Sequence, residues 1–334
     1  MGLLTAESLG VNNHIAYCSY MKSPNSSHLR QWSASDLESY LFYMEGGARK
    51  DVLFGGILFE ADQSADGVAI SPRSIGLGKP SKLHAWEQSL EQLFAPGTQI
   101  DALLCLSQSI PSDRYVDIWI ALPYPMVLAK EDFGQIQGKT LNFSISQADR
   151  LEAVKWWFEQ VLKRYRLAEQ KYPQQRCRLQ GFVWTKSFLD IGDKELICAL
   201  SPFVKDRVKN WLWLQNYGTT DAIKGKEWGF SGVFTRPTFL QSELRGKQWI
   251  KHAVKLSSNY VLGMVLWADQ RWSTTQLKEL LEAGRDHFQD ALQIYDIFTG
   301  ASSPQLASHP NYQDLYAYIH HQDMNSEDLK GGHQ

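Results

Sequence analysis

The chain has 334 residues, of which 43% are hydrophobic and 21% are charged, and its 34 basic and 36 acidic side chains give a formal net charge of -2. This composition is typical of a folded globular protein and excludes an intrinsically disordered chain. The nearly balanced charge and the lack of a long Lys/Arg run argue against nucleic acid as a partner.

Cysteine usage and the first residues both favour a cytoplasmic protein. The opening stretch, MGLLTAESLGVNNH, lacks the basic region, long apolar region and cleavage motif of a secretory signal, and no apolar run is long enough for a membrane span. The four cysteines form no C-x-x-C pair, so we expect reduced thiols. We therefore expect a cytoplasmic protein without a membrane partner, or a secreted one if a signal was trimmed from the chain.

Eight short apolar runs predict the strands of a parallel sheet. They are His14–Tyr20, Val52–Phe59, Val116–Leu122, Arg178–Trp184, Trp211–Gln215, Phe230–Thr235, Tyr260–Trp267 and Ala291–Phe298. Helical patterns separate or follow them at Ser35–Glu45, Lys82–Phe94, Asp101–Ser109, Ser146–Tyr172, Lys194–Lys209, Leu240–Leu256, Thr274–Phe288 and Tyr312–His321. Such alternation predicts parallel strands joined by crossover helices.

Eight strands alternating with helices can close into a barrel, so the predicted fold is α/β, a single-domain (β/α)8 TIM barrel. We place an N-terminal extension at residues 1–13, the barrel at 14–322 and a flexible tail at 323–334. The alternative is an open doubly wound sheet, but no Gly-rich dinucleotide fingerprint follows the first strand. The long segment between the second and third strands could hide a hairpin around Val68–Ile75.

In such a barrel the site is built just past the C-terminal ends of the strands. The residues predicted there are rich in aromatic and hydrogen-bonding groups, which suits a sugar ligand, although large aromatics also simply fill cores. We select as substrate-binding candidates Tyr20, Tyr124, Trp184, Lys186, Asn216, Tyr217, Arg236 and Trp267. The eighth strand contributes Asp296 and Thr299 to the same predicted rim.

Glycoside hydrolysis normally uses two carboxyl groups, one on each side of the scissile bond. Asp269 directly follows the seventh apolar strand and is the first catalytic candidate, and Glu60 and Asp62 at the second strand are the next. The alternative is that these carboxylates cap helices or pair with neighbouring Lys and Arg side chains. No H-E-x-x-H or Cys/His cluster and no G-x-S-x-G elbow is present, so we expect neither a metal nor a cofactor.

Six motifs in order resemble those of a bacterial family, the domain of unknown function 4855, whose members look like glycoside-hydrolase barrels. They are ALPYP with DFG at Ala121–Pro125 and Asp132–Gly134, Arg150 with Trp156 and Trp157, GFVW at Gly181–Trp184, WLQNY at Trp213–Tyr217, GFSGVFTRPTF at Gly229–Phe239 and GMVLWAD at Gly263–Asp269. The resemblance covers residues 14–320 and implies a barrel related to glycoside hydrolases.

The chain departs from the family pattern at several acidic positions. Ser187 and Ser231 stand where the family has Glu and Asp, and Val265 and Trp267 replace two glutamates. Asp269 alone remains among these acids. A Val or Trp cannot transfer a proton or act as a nucleophile, so these changes remove any such role there.

Three hypotheses follow. The first is a glycoside-hydrolase-like enzyme acting on a polysaccharide, with Asp269 and either Glu60 or Asp62 as the acid pair. The second is a barrel that has lost this chemistry and serves as a carbohydrate- or protein-binding module. The third is an enzyme of another class that recognises an anionic substrate through Lys186 and Arg236. The third predicts an anion near Arg236, and an Arg236 paired with a carboxylate of the chain counts against it.

Overall fold

The structure is a computed structural model. It describes residues 2–22, 29–64, 66–71, 79–127, 131–236, 248–268, 274–297 and 306–322. Two of the residues named above, Asp269 and Thr299, lie outside the described residues, as do 323–334.

The described residues contain eight parallel strands that close into a barrel. They are β1 (Ile15–Lys22), β2 (Gly56–Ala61), β3 (Val116–Ala121), β4 (Cys177–Trp184), β5 (Asn210–Asn216), β6 (Gly232–Arg236), β7 (Gly263–Ala268) and β8 (Gln293–Ile297). Each strand pairs with the next one along the chain, and β8 pairs with β1, in register from Ile294 beside Ile15. The predicted (β/α)8 barrel is therefore confirmed.

Helices lie before, between and after the barrel strands, and some of them begin at a capping side chain. They are α1 (Ala6–Leu9), α2 (Ala34–Leu41), α3 (Leu83–Leu93), α4 (Gln99–Ser107), α5 (Gln147–Glu169), α6 (Ile191–Lys205), α7 (Gln248–Tyr260), α8 (Thr274–His287) and α9 (Tyr312–Ile319). Ser146 caps α5, as predicted, because its side chain accepts a hydrogen bond from the backbone N–H of Asp149. Capping boxes begin α2 and α6, where Asp190 and Asp193 cap each other's backbone.

The segment before β2 differs from its prediction. The predicted helix at Ser35–Glu45 ends at Leu41, and the next residues form a hairpin of strands Phe42–Glu45 and Ala48–Val52. Gly46 and Gly47 form its turn with positive φ values of 58° and 77°. Such a two-residue turn favours glycine because an L side chain is strained there. The run Val52–Phe59, predicted as one strand, therefore contains the last residue of this hairpin and the first residues of β2.

Two other short pairings lie in the long connections. Strands Gly134–Ile136 and Lys139–Leu141 form a hairpin between β3 and α5, which the sequence patterns did not predict. The possible hairpin around Val68–Ile75 is instead a two-residue parallel pairing of Val68–Ala69 with Lys79–Pro80. Both features lie on the side of the barrel where the strands end.

The apolar side chains divide into two cores that share no residue. The inner core contains alternate residues of the barrel strands and none from α2–α9, so it fills the barrel. Its strand members are Ile15, Tyr17, Leu58, Trp119, Ala121, Val183, Leu212, Leu214, Phe234, Val265 and Ile294. The outer core contains the intervening strand residues together with the helices. This two-residue alternation decides which side chains face the barrel interior.

The N-terminal segment closes the base of the barrel. Leu4, Leu9 and Val11 belong to the inner core. The backbone N–H of Leu292 donates to the Leu4 carbonyl at 2.6 Å, and Asn210 Nδ2 donates to the Leu9 carbonyl at 3.0 Å. The N-terminal segment therefore plugs the end of the barrel where the strands begin.

Candidate functional site

The inward alternation brings polar side chains together at the C-terminal end of the barrel. Each of them follows an inner-core residue by two positions on its strand, and none lies in the plugged base. They are Ser19 on β1, Glu60 on β2, Asn216 on β5, Arg236 on β6 and Asp296 on β8. All except Asn216 are buried. We call this set the mouth cluster.

Arg236 and Asp296 form an ion pair inside the mouth cluster. Arg236 Nη2 lies 3.6 Å from Asp296 Oδ2, and both side chains are almost fully buried. A buried cation beside a buried carboxylate compensates the charge of both groups. The hypothesis of an anionic substrate recognised by Arg236 required this arginine to be available, so the pair argues against it.

Glu60 is the second inward-facing carboxylate of the mouth cluster. It has no solvent-exposed surface and lies beside Ser19 in the register of β1 and β2. The Ser19 hydroxyl in turn accepts a hydrogen bond from Arg30 Nη1 at 2.8 Å. The sequence prediction of Glu60 as a residue of the barrel mouth thus agrees with its position.

Strand register relates Glu60 to Asp296. Ile15 of β1 pairs with both Gly56 of β2 and Ile294 of β8, so β2 and β8 flank the same strand. Glu60 therefore lies two residues further toward the mouth than Asp296, an offset of about 7 Å along the strands. Around the barrel wall the two residues are two strand spacings apart, about 10 Å. Both side chains point toward the barrel interior, so the two carboxyl groups lie on the same side of the wall.

Tyr20 and Trp184 do not reach the mouth, although the sequence suggested them as substrate-binding residues. Both belong to the outer core, between the strands and the helices. The Tyr20 hydroxyl donates to the Ser89 carbonyl of α3 at 3.2 Å, and burial raises the pKa of this hydroxyl. Since side chains alternate along a strand, each lies one position away from an inward-facing residue.

Tyr124 and Lys186, two further candidates, belong to a buried polar network outside the barrel interior. Lys186 Nζ donates to the Tyr124 hydroxyl at 2.7 Å and also to Asp193. Asp193 accepts from Tyr124 at 3.0 Å and from Arg150 Nη2 at 2.7 Å. Burial, and then the charge of Asp193, raises the pKa of the Tyr124 hydroxyl, which therefore stays protonated and donates. We call these four residues the Asp193 network.

The Asp193 network fixes the loops that follow β3 and β4. Arg150 on α5 donates through Nε to the Pro125 carbonyl at 2.9 Å, and Asp193 lies in the first turn of α6. The Lys186 carbonyl accepts from Trp213 Nε1 at 2.9 Å, so the loop is also bound to β5. These contacts give Lys186 and Tyr124 a structural role and hold the adjacent wall of the mouth in place.

The remaining predicted site residues lie around the rim. Asp62 is half-buried just past β2, and its backbone N–H donates to the Tyr20 carbonyl at 3.2 Å. Tyr217 follows Asn216 and packs partly against the outer core, with its backbone N–H 2.9 Å from the Arg236 carbonyl. Trp267 lies on β7, but its side chain, like all of Asp269, lies outside the described part of the structure.

Asp296 is the functional candidate that sequence reasoning passed over. It was assigned to the rim but not chosen, because Asp269 follows its strand more directly. The signal was nevertheless in the sequence, since Leu292, Ile294 and Asp296 alternate with period two. Leu292 and Ile294 belong to the inner core, so the third member faces the interior as well. Arg150 and Asp193 were missed because their contacts are set only by tertiary structure.

Two searches of the described residues concern other classes of protein. Among these residues, no three His, Cys, Asp or Glu side chains are grouped so that they could hold a metal ion. In the same part of the chain, no helix is both long enough and apolar enough to cross a membrane.

Known structures similar to this chain are distant in sequence. A mutant tryptophan synthase alpha-subunit from Pyrococcus furiosus is 10% identical with a TM-score of 0.41, over 92% of this chain and 96% of that one. The tryptophan synthase complex of the same organism is 11% identical with a TM-score of 0.37, over 86% and 87%. An Aquifex aeolicus VF5 protein is 12% identical with a TM-score of 0.39, over 94% and 92%.

The sequence comparisons give a clearer result. No curated protein matches the chain. A family model described as Domain of unknown function (DUF4855) matches residues 21–295, which is well over half of the chain. The match includes β2 to β7, the Asp193 network and three residues of the mouth cluster, Glu60, Asn216 and Arg236. The chain therefore belongs to the family Domain of unknown function (DUF4855).

Proposed function

We propose that this chain is a glycoside-hydrolase-like barrel that binds a polysaccharide at its mouth and cleaves it with Glu60 as the principal catalytic residue. The observation that carries the proposal is the pair of buried, inward-facing carboxylates, Glu60 and Asp296, on the two strands that flank β1. Glycosidases need two carboxyl groups on either side of the bond that they break. The resemblance of the sequence motifs to glycoside-hydrolase barrels supports the same function.

The two carboxylates have different surroundings, which suits different roles. Asp296 lies beside Arg236, whose positive charge compensates a carboxylate anion. Such an anion can stabilise the positive charge that develops on the sugar ring or attack its anomeric carbon. Glu60 would donate the proton to the leaving glycosidic oxygen. Asp62 and Asp269 stay as further candidates for the second carboxyl group, and the reaction requires neither a metal nor a cofactor.

Other residues of the rim would bind the sugar. Asn216 is only partly buried, and its Oδ1 accepts no hydrogen bond from the described residues, so this oxygen can accept one from a sugar hydroxyl. Tyr217 and Trp267 are the aromatic candidates that remain at strand ends, now that Tyr20 and Trp184 lie in the outer core. We keep the cytoplasmic location, with no nucleic acid or membrane partner, as part of the proposal.

The test is turnover of a panel of soluble polysaccharides, followed as newly formed reducing ends. The Glu60→Gln variant preserves shape and removes the acid, so we expect at least a roughly 100-fold loss of turnover, as is typical for a general acid. Asp296→Asn and Asp62→Asn identify the second carboxyl group, and thermal melting verifies that each variant is folded. Unchanged turnover in Glu60→Gln would reject Glu60 as the acid. No product from any polysaccharide would reject hydrolysis.

The second candidate function is a degenerate barrel that serves as a carbohydrate- or protein-binding module. It is favoured by the ion pair that already engages Asp296 and by Val265, which packs into the inner core and stands where the family pattern that its motif resembles has a glutamate. Calorimetric titration with the same panel separates the two functions. Binding of a polysaccharide without release of product favours the module, and product release rejects it.

A protein partner of such a module would find apolar side chains on the same end of the barrel. Five large apolar residues are solvent-exposed in the connections that follow β3, β4 and β5. They are Val127, Ile145, Phe188, Ile191 and Ile223, with Ile145 and Ile191 exposed to 82% and 76%. A partner that covered these side chains would bury their exposed apolar surface, as interaction sites do. If none of the polysaccharides binds and a defined protein partner does, the protein-binding version of the module is favoured.

A further inference from the structure

The adjacent tryptophans of α5 differ in how deeply they are buried. Successive helix residues point about 100° apart, so both cannot enter the same core to the same depth. Trp157 is buried in the outer core, and its Nε1 donates to Ser89 Oγ at 3.3 Å. Trp156 is half-buried and packs against the edge of the outer core, so part of its side chain stays exposed. The motif that contains both residues has no part in the mouth, so Trp156 calls for an explanation of its own.

Trp156 lies in a groove on the outside of the barrel. The groove has a volume of about 440 Å³ and runs between α5 and the turn of the hairpin Gly134–Leu141. Ile136, Leu151 and Trp156 give it apolar surface, and polar side chains line the rest. Its volume is within the range of about 300–1,000 Å³ that small-molecule sites occupy. We call it the Trp156 groove.

The polar lining of the Trp156 groove carries hydrogen-bonding groups and charges of both signs, from Gln137, Glu152, Lys155, Glu159 and Gln160. Gln137 and Gln160 carry amides that can both donate and accept. Two glutamates of the lining are already paired with cations: Glu152 with Lys139 at 2.6 Å, and Glu159 with Arg207 at 2.6 Å. Compensated carboxylates keep acceptor oxygens while losing most of their attraction for a cationic ligand, so the lining complements an uncharged, hydroxyl-rich ligand.

We propose that the Trp156 groove is a second carbohydrate site that binds a neutral oligosaccharide, with one sugar face on the indole of Trp156 and hydroxyls on the amide and carboxylate groups around it. An aromatic face can pack against the apolar face of a sugar ring, and the amides beside it can bind the sugar hydroxyls. This inference rests on the proposed function, because it takes the ligand of the mouth to be a polysaccharide.

The position of the groove suggests how the two sites share one polymer. The groove residues of α5 extend from Ala148 to Gln160, so they cover about 18 Å of helix at 1.5 Å per residue. Ala148 lies in the first turn of α5, next to the loops that surround the mouth. A polysaccharide that leaves the mouth over this rim can continue along the groove, which raises its effective concentration at the mouth.

The experiment compares retention of the protein in native gels that contain neutral soluble polysaccharides, such as β-1,4- and α-1,4-linked glucans. Trp156→Ala is expected to weaken retention at least tenfold, and Trp156→Phe to weaken it less because a flat ring remains. The matched control is Tyr260→Ala, which removes an aromatic side chain that is 44% exposed at the far end of the barrel. It should retain wild-type affinity.

A second measurement keeps the test decisive if Trp156→Ala proves unstable. Hydrogen exchange of the wild-type chain with and without a neutral hexasaccharide should show protection at the hairpin turn, Gln137–Gly138. Unchanged retention in Trp156→Ala, or no protection at the turn, overturns the groove. Retention lost in Glu60→Gln but kept in Trp156→Ala overturns the groove and leaves the mouth intact. Turnover of a short soluble oligosaccharide by Trp156→Ala, at the wild-type rate, separates failure of the groove from failure of the proposed function.

Discussion

We expect that removing the charge of Asp193 strongly destabilises the fold. It is fully buried, and its two oxygens accept hydrogen bonds from Arg150, Tyr124 and Lys186. In Asp193→Asn, the described residues leave Asp190 as the carboxylate paired with Lys186, and the buried cation of Arg150 loses its ion pair with Asp193. Removing one partner of a buried ion pair costs about 3–5 kcal/mol, because the remaining charge is uncompensated. We expect a loss of that size in the free energy of unfolding.

Asp190→Asn is the matched control. Asp190 belongs to the same polar group, 3.2 Å from Lys186 Nζ, but its side chain is 49% exposed. Asn caps a helix about as well as Asp, and water can replace the exposed part of the ion pair. We therefore expect Asp190→Asn to change the free energy of unfolding by less than about 1 kcal/mol. Both variants are measured by urea unfolding followed by tryptophan fluorescence.

A double variant tests the electrostatic reason directly. Lys186→Met removes one of the two cations that Asp193→Asn leaves behind, so adding it to Asp193→Asn should cost less than Lys186→Met costs in the wild type. A loss below about 1 kcal/mol for Asp193→Asn would refute the reasoning, because it would mean that the cations are compensated elsewhere. Strict additivity of the two substitutions would refute it as well.

Two further predictions concern the base of the barrel. Burial lowers the pKa of His14 to about 3 in the folded chain, below its ordinary value of 6.5. The folded chain therefore favours the neutral imidazole, and the stability that depends on it is fully present above pH 6.5. As the pH falls from 6.5 toward 3, the free energy of unfolding decreases by up to about 1.4 kcal/mol per pH unit. Urea unfolding between pH 7 and 4.5 should show a shallower decline for His14→Gln, and an equal slope would contradict the assignment. Gly181→Ala would place a methyl 2.1 Å from a backbone carbonyl oxygen and should cost about 1–3 kcal/mol or more, whereas Gly192→Ala meets only side-chain atoms, the nearest at 3.4 Å, and should melt within a few degrees of the wild type.

The barrel itself could be predicted because its signals are local. Each strand is an apolar run between turn or helix signals, and such runs were recognisable even where their ends were misplaced. The largest boundary error among the described strands came at Val52–Phe59, where an apolar run joins the end of a hairpin to the start of β2. The pair Gly46–Gly47 marks that hairpin in the sequence, since both residues need a positive φ.

The candidate site could be predicted only in part. The rule that barrel sites lie at strand ends selected Glu60, Asn216 and Arg236, which do face the mouth, but also Tyr20 and Trp184, which do not. The end of a strand gives the height of a residue along the barrel but not the direction of its side chain. A shift of one residue along the strand moves the side chain from the interior face of the sheet to the outer face. The same alternation predicts Asp296, because Leu292, Ile294 and Asp296 lie on one face of the β8 segment and the two apolar residues of this set face the barrel interior.

The sequence by itself determined the number and order of the strands, the helix that begins at Ser146 and the family of the chain, because each depends on patterns within a short stretch. Only the tertiary structure decided which charges meet. Arg236 and Asp296 are sixty positions apart and come together through closure of the barrel, and Arg150 reaches Asp193 from a different helix. Pairing between distant residues depends on how the elements pack, so only the tertiary structure decided which of these cations and carboxylates meet.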